Sequence, residues 1–234
     1  MRRLGSGPVR LGVAALVLLL LAIGIATYLL SSQHAPAQFA LSTPAAGASS
    51  GLAGSWKVGP GSQVGYRVRE QFINQPRPTE AVARTDKVTG SLRIATSGAQ
   101  YRATSLTFQV DLASLVSQDQ YATFQVYQRD FFVRKIYLET DTYPTAIFTA
   151  DPVSVAISQA PGPVTLDVNG KLAVHGAKKT VATHMQAQAT DAGIELAGSM
   201  TVDMRDYGID PPDISFTKAE SSVVIEYHLV LVRA

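Results

Sequence analysis

Residues 164–181 constrain the fold more than any other stretch of the chain. Val164, Leu166, Val168, Leu172 and Val174 are apolar, and Thr165, Asp167, Asn169, Lys171, Ala173 and His175 stand between them. A period of two is the mark of a strand with one wet face and one dry face. Eleven residues at about 3.3 Å each run roughly 36 Å, about twice the usual strand. A strand this long needs somewhere to bend. Gly170 sits mid-run on the apolar face and reads as a kink or bulge. Residues 175–179 read as a turn, and Val181 opens the next strand. A long, bent, half-dry strand suits a barrel stave.

The same period recurs along the chain. Val64, Tyr66 and Val68 form one alternating set, and Val88, Gly90, Leu92 and Ile94 another. Leu106, Phe108, Val110 and Leu112 form a third. Asn74–Asp86, with Pro76 and Pro78, reads as a polar loop. Residues 114–135 contain no Gly or Pro, and Leu115, Ala122, Val126 and Phe132 lie at helical spacings, which predicts one helix. Tyr143-Pro144 ends it, because the residue before proline avoids the helical basin. Ile147–Val155 is a further strand, with Pro152 marking a bulge or edge. Val181–Ala189, Ile194–Met204 and Val223–Val232 complete the set. The expectation is an all-β domain: an antiparallel barrel of about eight strands with one helix, able to hold a small ligand inside.

The N-terminal part differs in kind. Residues 1–10 are basic. Residues 11–30 are twenty residues without a charge, about 30 Å as a helix, the thickness of a bilayer's hydrocarbon. Such a run exceeds the usual apolar region of a cleavable signal, and Ala35-Pro36-Ala37 is a poor cleavage site. The expectation is a transmembrane anchor at 11–30 in the cell membrane. Arg2, Arg3 and Arg10 precede it, which puts the N-terminus in the cytoplasm and the rest outside. A secreted or periplasmic product after cleavage is the alternative. Residues 31–54 carry no Lys, Arg, Asp or Glu and read as a flexible linker. The domain then runs over 55–234. Gly54-Ser55-Trp56 has either a Trp that plugs one barrel end under an Arg or simply one buried aromatic.

Net charge is +2, and Arg2, Arg3 and Arg10 supply three positive charges, so the remainder carries −1. That balance leaves no electrostatic footprint for nucleic acid. The chain has no cysteine, which excludes disulfides, thiolate metal sites and cysteine nucleophiles. Its four histidines are His34, His175, His184 and His228. His175 and His184 flank one turn, but two histidines without a carboxylate motif make a poor metal site. No Gly-x-Ser-x-Gly elbow exists. Glu139, Asp141, Asp203, Asp206 and Glu226 offer carboxylates, but no spacing selects a catalytic pair.

Three stretches carry a family resemblance over about Ser55 to Val232. The first is Arg129-Asp130-Phe131-Phe132, followed by Tyr137-Leu138-Glu139 and Tyr143-Pro144-Thr145-Ala146-Ile147-Phe148. The second is Val168-Asn169-Gly170-Lys171-Leu172-Ala173-Val174-His175-Gly176-Ala177-Lys178, and the third is Met204-Arg205-Asp206-Tyr207-Gly208-Ile209. Their order and spacing resemble the YceI-like family of exported lipid-binding proteins. The resemblance implies a lipocalin-like barrel that takes a long-chain polyisoprenoid into an apolar channel. A long anchor and linker stand here where many members have a cleavable signal. Arg129-Asp130 and Arg205-Asp206 read as structural pairs holding the helix and a late strand onto the barrel. Alternatively, one of those arginines meets a ligand's polar head.

Parity along each strand nominates the inner wall: Tyr66, Val68, Leu92, Phe108, Val110, Phe148, Leu166, Val168, Leu172, Val174, Met185, Met200 and Ile225. Phe131 and Phe132 either cover the mouth or pack in the core. A one-residue bulge would invert any of these assignments. The reading is a membrane-tethered extracytoplasmic protein that sequesters a lipid, with no catalytic residue, metal or cofactor. Its partners are the lipid and the membrane through residues 11–30; a homodimer is left open. Two rivals stand beside it: an enzyme acting on a lipid through a carboxylate or His175, and an interaction module with a filled core.

Overall fold

The computed structural model describes residues 19–20, 35–42, 51–73, 76–119, 126–156 and 163–234. Of the expected anchor only Leu19 and Leu20, which are helical and exposed, fall among them; the rest of 11–30, residues 1–10 and His34 lie outside. No helix among the described residues is long and apolar enough to cross a membrane.

Among the described residues, thirteen strands form one antiparallel sheet. They are β1 (Gly54–Val58), β2 (Gln63–Phe72), β3 (Thr79–Thr85), β4 (Val88–Ser97), β5 (Gln100–Asp111), β6 (Val116–Ser117), β7 (Thr145–Ala150), β8 (Val153–Ala156), β9 (Val164–Val174), β10 (Ala177–Thr190), β11 (Gly193–Asp203), β12 (Asp213–Ile214) and β13 (Thr217–Arg233). Eight of them, in the order β1-β4-β5-β7-β9-β10-β11-β13, close back on β1 into a barrel. Closure removes the free edges that an open sheet must protect. The barrel is closed unevenly because β13 shares one edge between two partners. Leu231–Arg233 pair with β1, whereas Thr217–His228 pair with β2. β2 continues into β3 and then β6, so one end of the ring splays open. The helix α1 (Val126–Phe132), extended by a wider turn over Val133–Tyr137, stands at that splayed end.

Several expectations are corrected. The helix expected over 114–135 is replaced in its first part by a 3₁₀ turn at Leu112–Ser114 and by β6. Asp111 caps that turn and breaks any longer helix, its side chain accepting from Ala113 N. Thr79–Thr85 is a strand within the expected polar loop. Its charges mislead because they are paired: Glu80 meets Arg67 at 2.6 Å and Arg84 meets Glu226 at 2.7 Å. The turn at 175–179 is only His175-Gly176, both left-handed at φ 50° and 74°, as a tight hairpin requires. Pro152 separates β7 from β8, both of which pair with β5.

Gly170 is not a bulge. β9 and β10 pair without a shift from Val164↔Ala187 to Val174↔Ala177. The register shifts fall instead at Arg93/Ile94 and between Ala219 and Val223. Gly170 is required by space. A Cβ there would sit 2.6 Å from the Phe148 ring and 2.6 Å from the Thr149 carbonyl oxygen.

Residues 35–42, within the span read as flexible linker, lie against the outer wall. Pro36 O accepts from Arg67 (2.6 Å), and the Arg84 guanidinium stacks 4.0 Å from the Phe39 ring centre. Ser42 donates through N and Oγ to Glu195, at 2.9 and 2.6 Å.

Candidate functional site

Inward side chains from the two ends of the barrel make two different interiors. At the β1 end, Trp56 is buried, donates to Leu52 O (2.9 Å) and carries the Arg233 guanidinium 4.1 Å from its ring centre. It plugs that end. Above it lies a small void of about 100 Å³ bordered by Leu92, Leu106, Leu166, Met185 and Leu196.

The middle of the barrel is a septum of rings. Phe108 lies 5.3 Å from Phe148 and 5.5 Å from Tyr227 between centroids, and all three are almost fully buried. Glycines make room for them. Gly170 faces Phe148, and a Cβ on Gly198 would come within 2.5 Å of the Tyr227 hydroxyl. That hydroxyl shares a 2.7 Å hydrogen bond with Thr183 Oγ1, which donates to Ser199 O (2.9 Å). Burial pushes the Tyr227 hydroxyl up to about 12, so it stays neutral in the core.

Beyond the septum, toward α1, a cavity of about 550 Å³ opens, within the usual size of small-molecule sites. Ten residues nominated from sequence line it: Tyr66, Val68, Phe108, Val110, Phe132, Phe148, Leu172, Val174, Met200 and Ile225. Five are placed elsewhere. Leu92, Leu166 and Met185 border the small void, and Val168 is buried in the core between the two spaces. Phe131 is 54% exposed on α1, edge-on to Phe132, and is absent from the cavity wall. The inward parity holds for the first four; what parity does not show is the septum, which divides one expected channel in two.

Sequence reasoning missed wall residues that lie on turns rather than on strands. Leu112, Leu115, Leu138 and Ile209 line the cavity from turns. So does Tyr207, from a 3₁₀ turn capped by Gly208 at φ 70°. The Tyr207 hydroxyl is buried without a hydrogen-bond partner among the described residues, and burial raises it to about 12. Its signal was the Arg205-Asp206-Tyr207-Gly208 motif itself.

The charged residues lining the cavity are Glu70 and Arg129, 3.6 Å apart. Arg129 also makes a two-pronged pair with Asp119, at 2.8 Å. Asp119 in turn accepts from Val82 N (3.0 Å), so Arg129 ties α1 to β3. Asp130 accepts from Ser117 N and Oγ and holds β6. The pairing of Arg205-Asp206 is corrected. Arg205 and Asp206 are exposed, and Asp203 makes the link to β13 by accepting from Ser221 Oγ (2.7 Å). Tyr66 is half-buried beside Arg129, and burial raises its hydroxyl above the ordinary phenol range despite that cation.

The histidines are separated. His175 contacts Tyr207 O (3.1 Å) and Glu139 (3.3 Å), His184 pairs with Asp167, and His228 meets Glu195 at 2.5 Å. No cluster of three metal-ligating side chains occurs among the described residues. Of the carboxylates considered for hydrolysis, Glu226 is buried in the outer wall between Arg67 and Arg84; none of the five lines the cavity.

Comparison with known proteins gives a consistent frame. The family model described as the YceI-like domain matches residues 56–231. Among solved structures, a polyisoprenoid binding domain from Saccharophagus degradans implicated in plant cell wall breakdown superposes with a TM-score of 0.54 at 16% identity, covering 76% of this chain and 98% of that one. BcnA of Burkholderia cenocepacia gives 0.49 at 21% identity, covering 72% and 94%. A search of curated protein sequences found no match.

Proposed function

The chain belongs to the YceI-like family, and from that premise we propose that it sequesters a long-chain apolar lipid, a polyisoprenoid in class, in the cavity between the septum and α1. The observation that carries this is the cavity itself: about 550 Å³, walled by inward apolar side chains, with its charged residues paired to each other. Each buried methylene is worth roughly 0.8 kcal/mol, and association costs an estimated 4–15 kcal/mol. A tail burying about twenty methylenes gains roughly 16 kcal/mol and is therefore retained, whereas one half that length gains roughly 8 kcal/mol, inside the range of the cost, and is lost. The Saccharophagus domain's polyisoprenoid ligand class supports the choice of lipid. The unpartnered Tyr207 hydroxyl and the Arg129–Glu70 pair give a polar group of the ligand somewhere to bind. Sequestration needs no catalytic group, and no carboxylate pair faces the cavity to suggest hydrolysis.

We further propose that residues 11–30 anchor the protein in the membrane, with 31–234 extracytoplasmic, on the strength of the uncharged run and the arginines before it. The test of the binding function is to purify the full chain in mild detergent, extract it with organic solvent and identify the extract by mass spectrometry. A long-chain isoprenoid at near one per protein is expected. Protein with no lipid, even after incubation with isoprenoid alcohols, would overturn the reading.

A further inference from the structure

The splayed end of the barrel is apolar on its outside as well as its inside. Ile73 at the end of β2, Phe131, Phe132 and Ile136 on and after α1, and Ile214 and Phe216 at the β12–β13 turn are 44–75% exposed. Four of these six, Phe132, Ile136, Ile214 and Phe216, also line the cavity, so they form its mouth. Ile73 N donates to Phe216 O (3.0 Å) and Phe131 packs on Phe132, which makes the other two part of the same rim. Val116 on β6, beside α1, is the remaining exposed large apolar side chain of the described barrel. None lies at the Trp56 end. Exposed apolar patches of this kind mark a contact surface.

The course of the chain says what covers it. Residues 35–42 run along the outer wall in a defined direction. Pro36 is held by Arg67, which pairs with Val224 of β13; Ser42 is held by Glu195, which pairs with Val230. Six residues of β13, about 20 Å, separate the two points, and the N-terminal one is nearer the mouth. Residues 31–35 span at most about 18 Å from the end of the apolar run. Along β2, Arg67 to Phe72 is about 17 Å. An anchor ending at Leu30 thus brings the mouth, not the plugged end, to the bilayer surface. Three charged pairs stand beside the rim, Arg69 with Glu220 (3.8 Å), Lys218 with Asp213 (2.8 Å) and Lys135 with Asp141 (2.6 Å), and Arg134 donates to the Asp130 and Ala113 carbonyls. The side chains that form the rim itself are apolar.

We propose that this rim inserts into the acyl layer of the membrane that carries the anchor, so that a lipid passes between bilayer and cavity without crossing water. The inference rests on the lipid-binding function and the membrane anchor proposed above. The absence of cysteine makes the test direct. Full-length Ile73→Cys, Phe131→Cys and Ala99→Cys, the last on the β4–β5 turn at the far end, are labelled with an environment-sensitive fluorophore. They are reconstituted into phosphatidylcholine vesicles with and without brominated acyl chains. Blue-shifted emission quenched by bromolipid is expected at 73 and 131 and not at 99. Water-like emission at all three overturns the proposal. A blue shift without bromolipid quenching overturns it too, since the rim is then buried against a second copy. Ile73→Asp and Phe131→Asp, neither on the cavity wall, should slow uptake of isoprenoid from vesicles about tenfold while final occupancy is unchanged. If wild-type protein never carries lipid, it is the binding function that fails; if it carries lipid while the rim labels stay in water, only this inference fails.

Discussion

The two halves of the barrel are written in one alternating pattern and end in opposite states. The half at β1 is nearly filled, with a void of only about 100 Å³: Trp56, Leu92, Leu106, Ile194, Leu229 and Leu231 are all at most 6% exposed. The half at α1 encloses about 550 Å³. Side-chain hydrophobicity does not separate them, since Val110, Leu172 and Met200 on the open side are as buried as the others. What separates them is strand accounting at β13. Where β1 pairs with it the ring closes tightly; where β2 takes over, the sheet runs on into β3 and β6 and the ring widens. A cavity here is a consequence of topology, and the septum keeps the filled half from collapsing into it.

The largest effect should come from the glycines that admit the septum. A side chain at Gly170 meets the Phe148 ring and Thr149 O at 2.6 Å; one at Gly198 meets His184 O and the Tyr227 hydroxyl at 2.5 Å. Backbone oxygens cannot step aside as a side-chain tip can. Gly170→Val and Gly198→Val should each cost about 3 kcal/mol or more, seen as a lowered urea midpoint. Gly61→Ala, where a Cβ meets only the Val230 methyl at 3.6 Å, should cost less despite its positive φ. A full-strength midpoint for Gly170→Val would mean the rings are loosely seated, and the division of the barrel would lose its basis.

Removing the septum itself is the next step down. Phe148 is 1% exposed, so Phe148→Ala should cost about 3 kcal/mol, at the low end for Phe because one side already borders a cavity. It should also join the two spaces and shift the extracted lipids toward longer chains. Unchanged chain lengths by mass spectrometry would show that the septum does not set the depth of the site.

The pattern of strands, the barrel and nine of the wall residues were legible because alternation is a local signal. The septum was not, because Gly170 reads the same whether it bends a strand or makes room for a ring contributed by β7. β3 was hidden because Glu80 and Arg84 look like loop charges until Arg67 and Glu226 are placed opposite them. Asp203, rather than Arg205-Asp206, carries the tie to β13 through a serine eighteen residues away, a pairing no spacing announces. The residue that could have flagged the docked segment is Phe39, the one aromatic in an otherwise small and polar linker.

The smallest effect concerns that segment, which spans the outer wall from the mouth half to the filled half. Its C-terminal hold is Glu195, which accepts from Ser42 N and Oγ, Gln188 and His228. Burial works to raise the Glu195 carboxyl, but these hydrogen bonds overrule it and bring it down to about 2 from an ordinary 4.5. The folded value lies below the free one, so the docked state holds fewer protons. Its contribution is complete above about pH 4.5 and is lost as pH falls toward 2. Hydrogen exchange of residues 35–42, corrected for intrinsic rates, should therefore show protection at pH 5 that fades between about pH 4 and pH 2. The β9–β10 ladder should keep its protection over that range. Glu195→Gln cannot gain a proton in this range yet still accepts from Ser42, so it should cost about 1 kcal/mol of docking and remove the pH dependence. If the variant fades over the same pH range as the wild type, Glu195 does not hold the segment, and the link between the mouth and plugged halves must be sought at Arg67 and Arg84 instead.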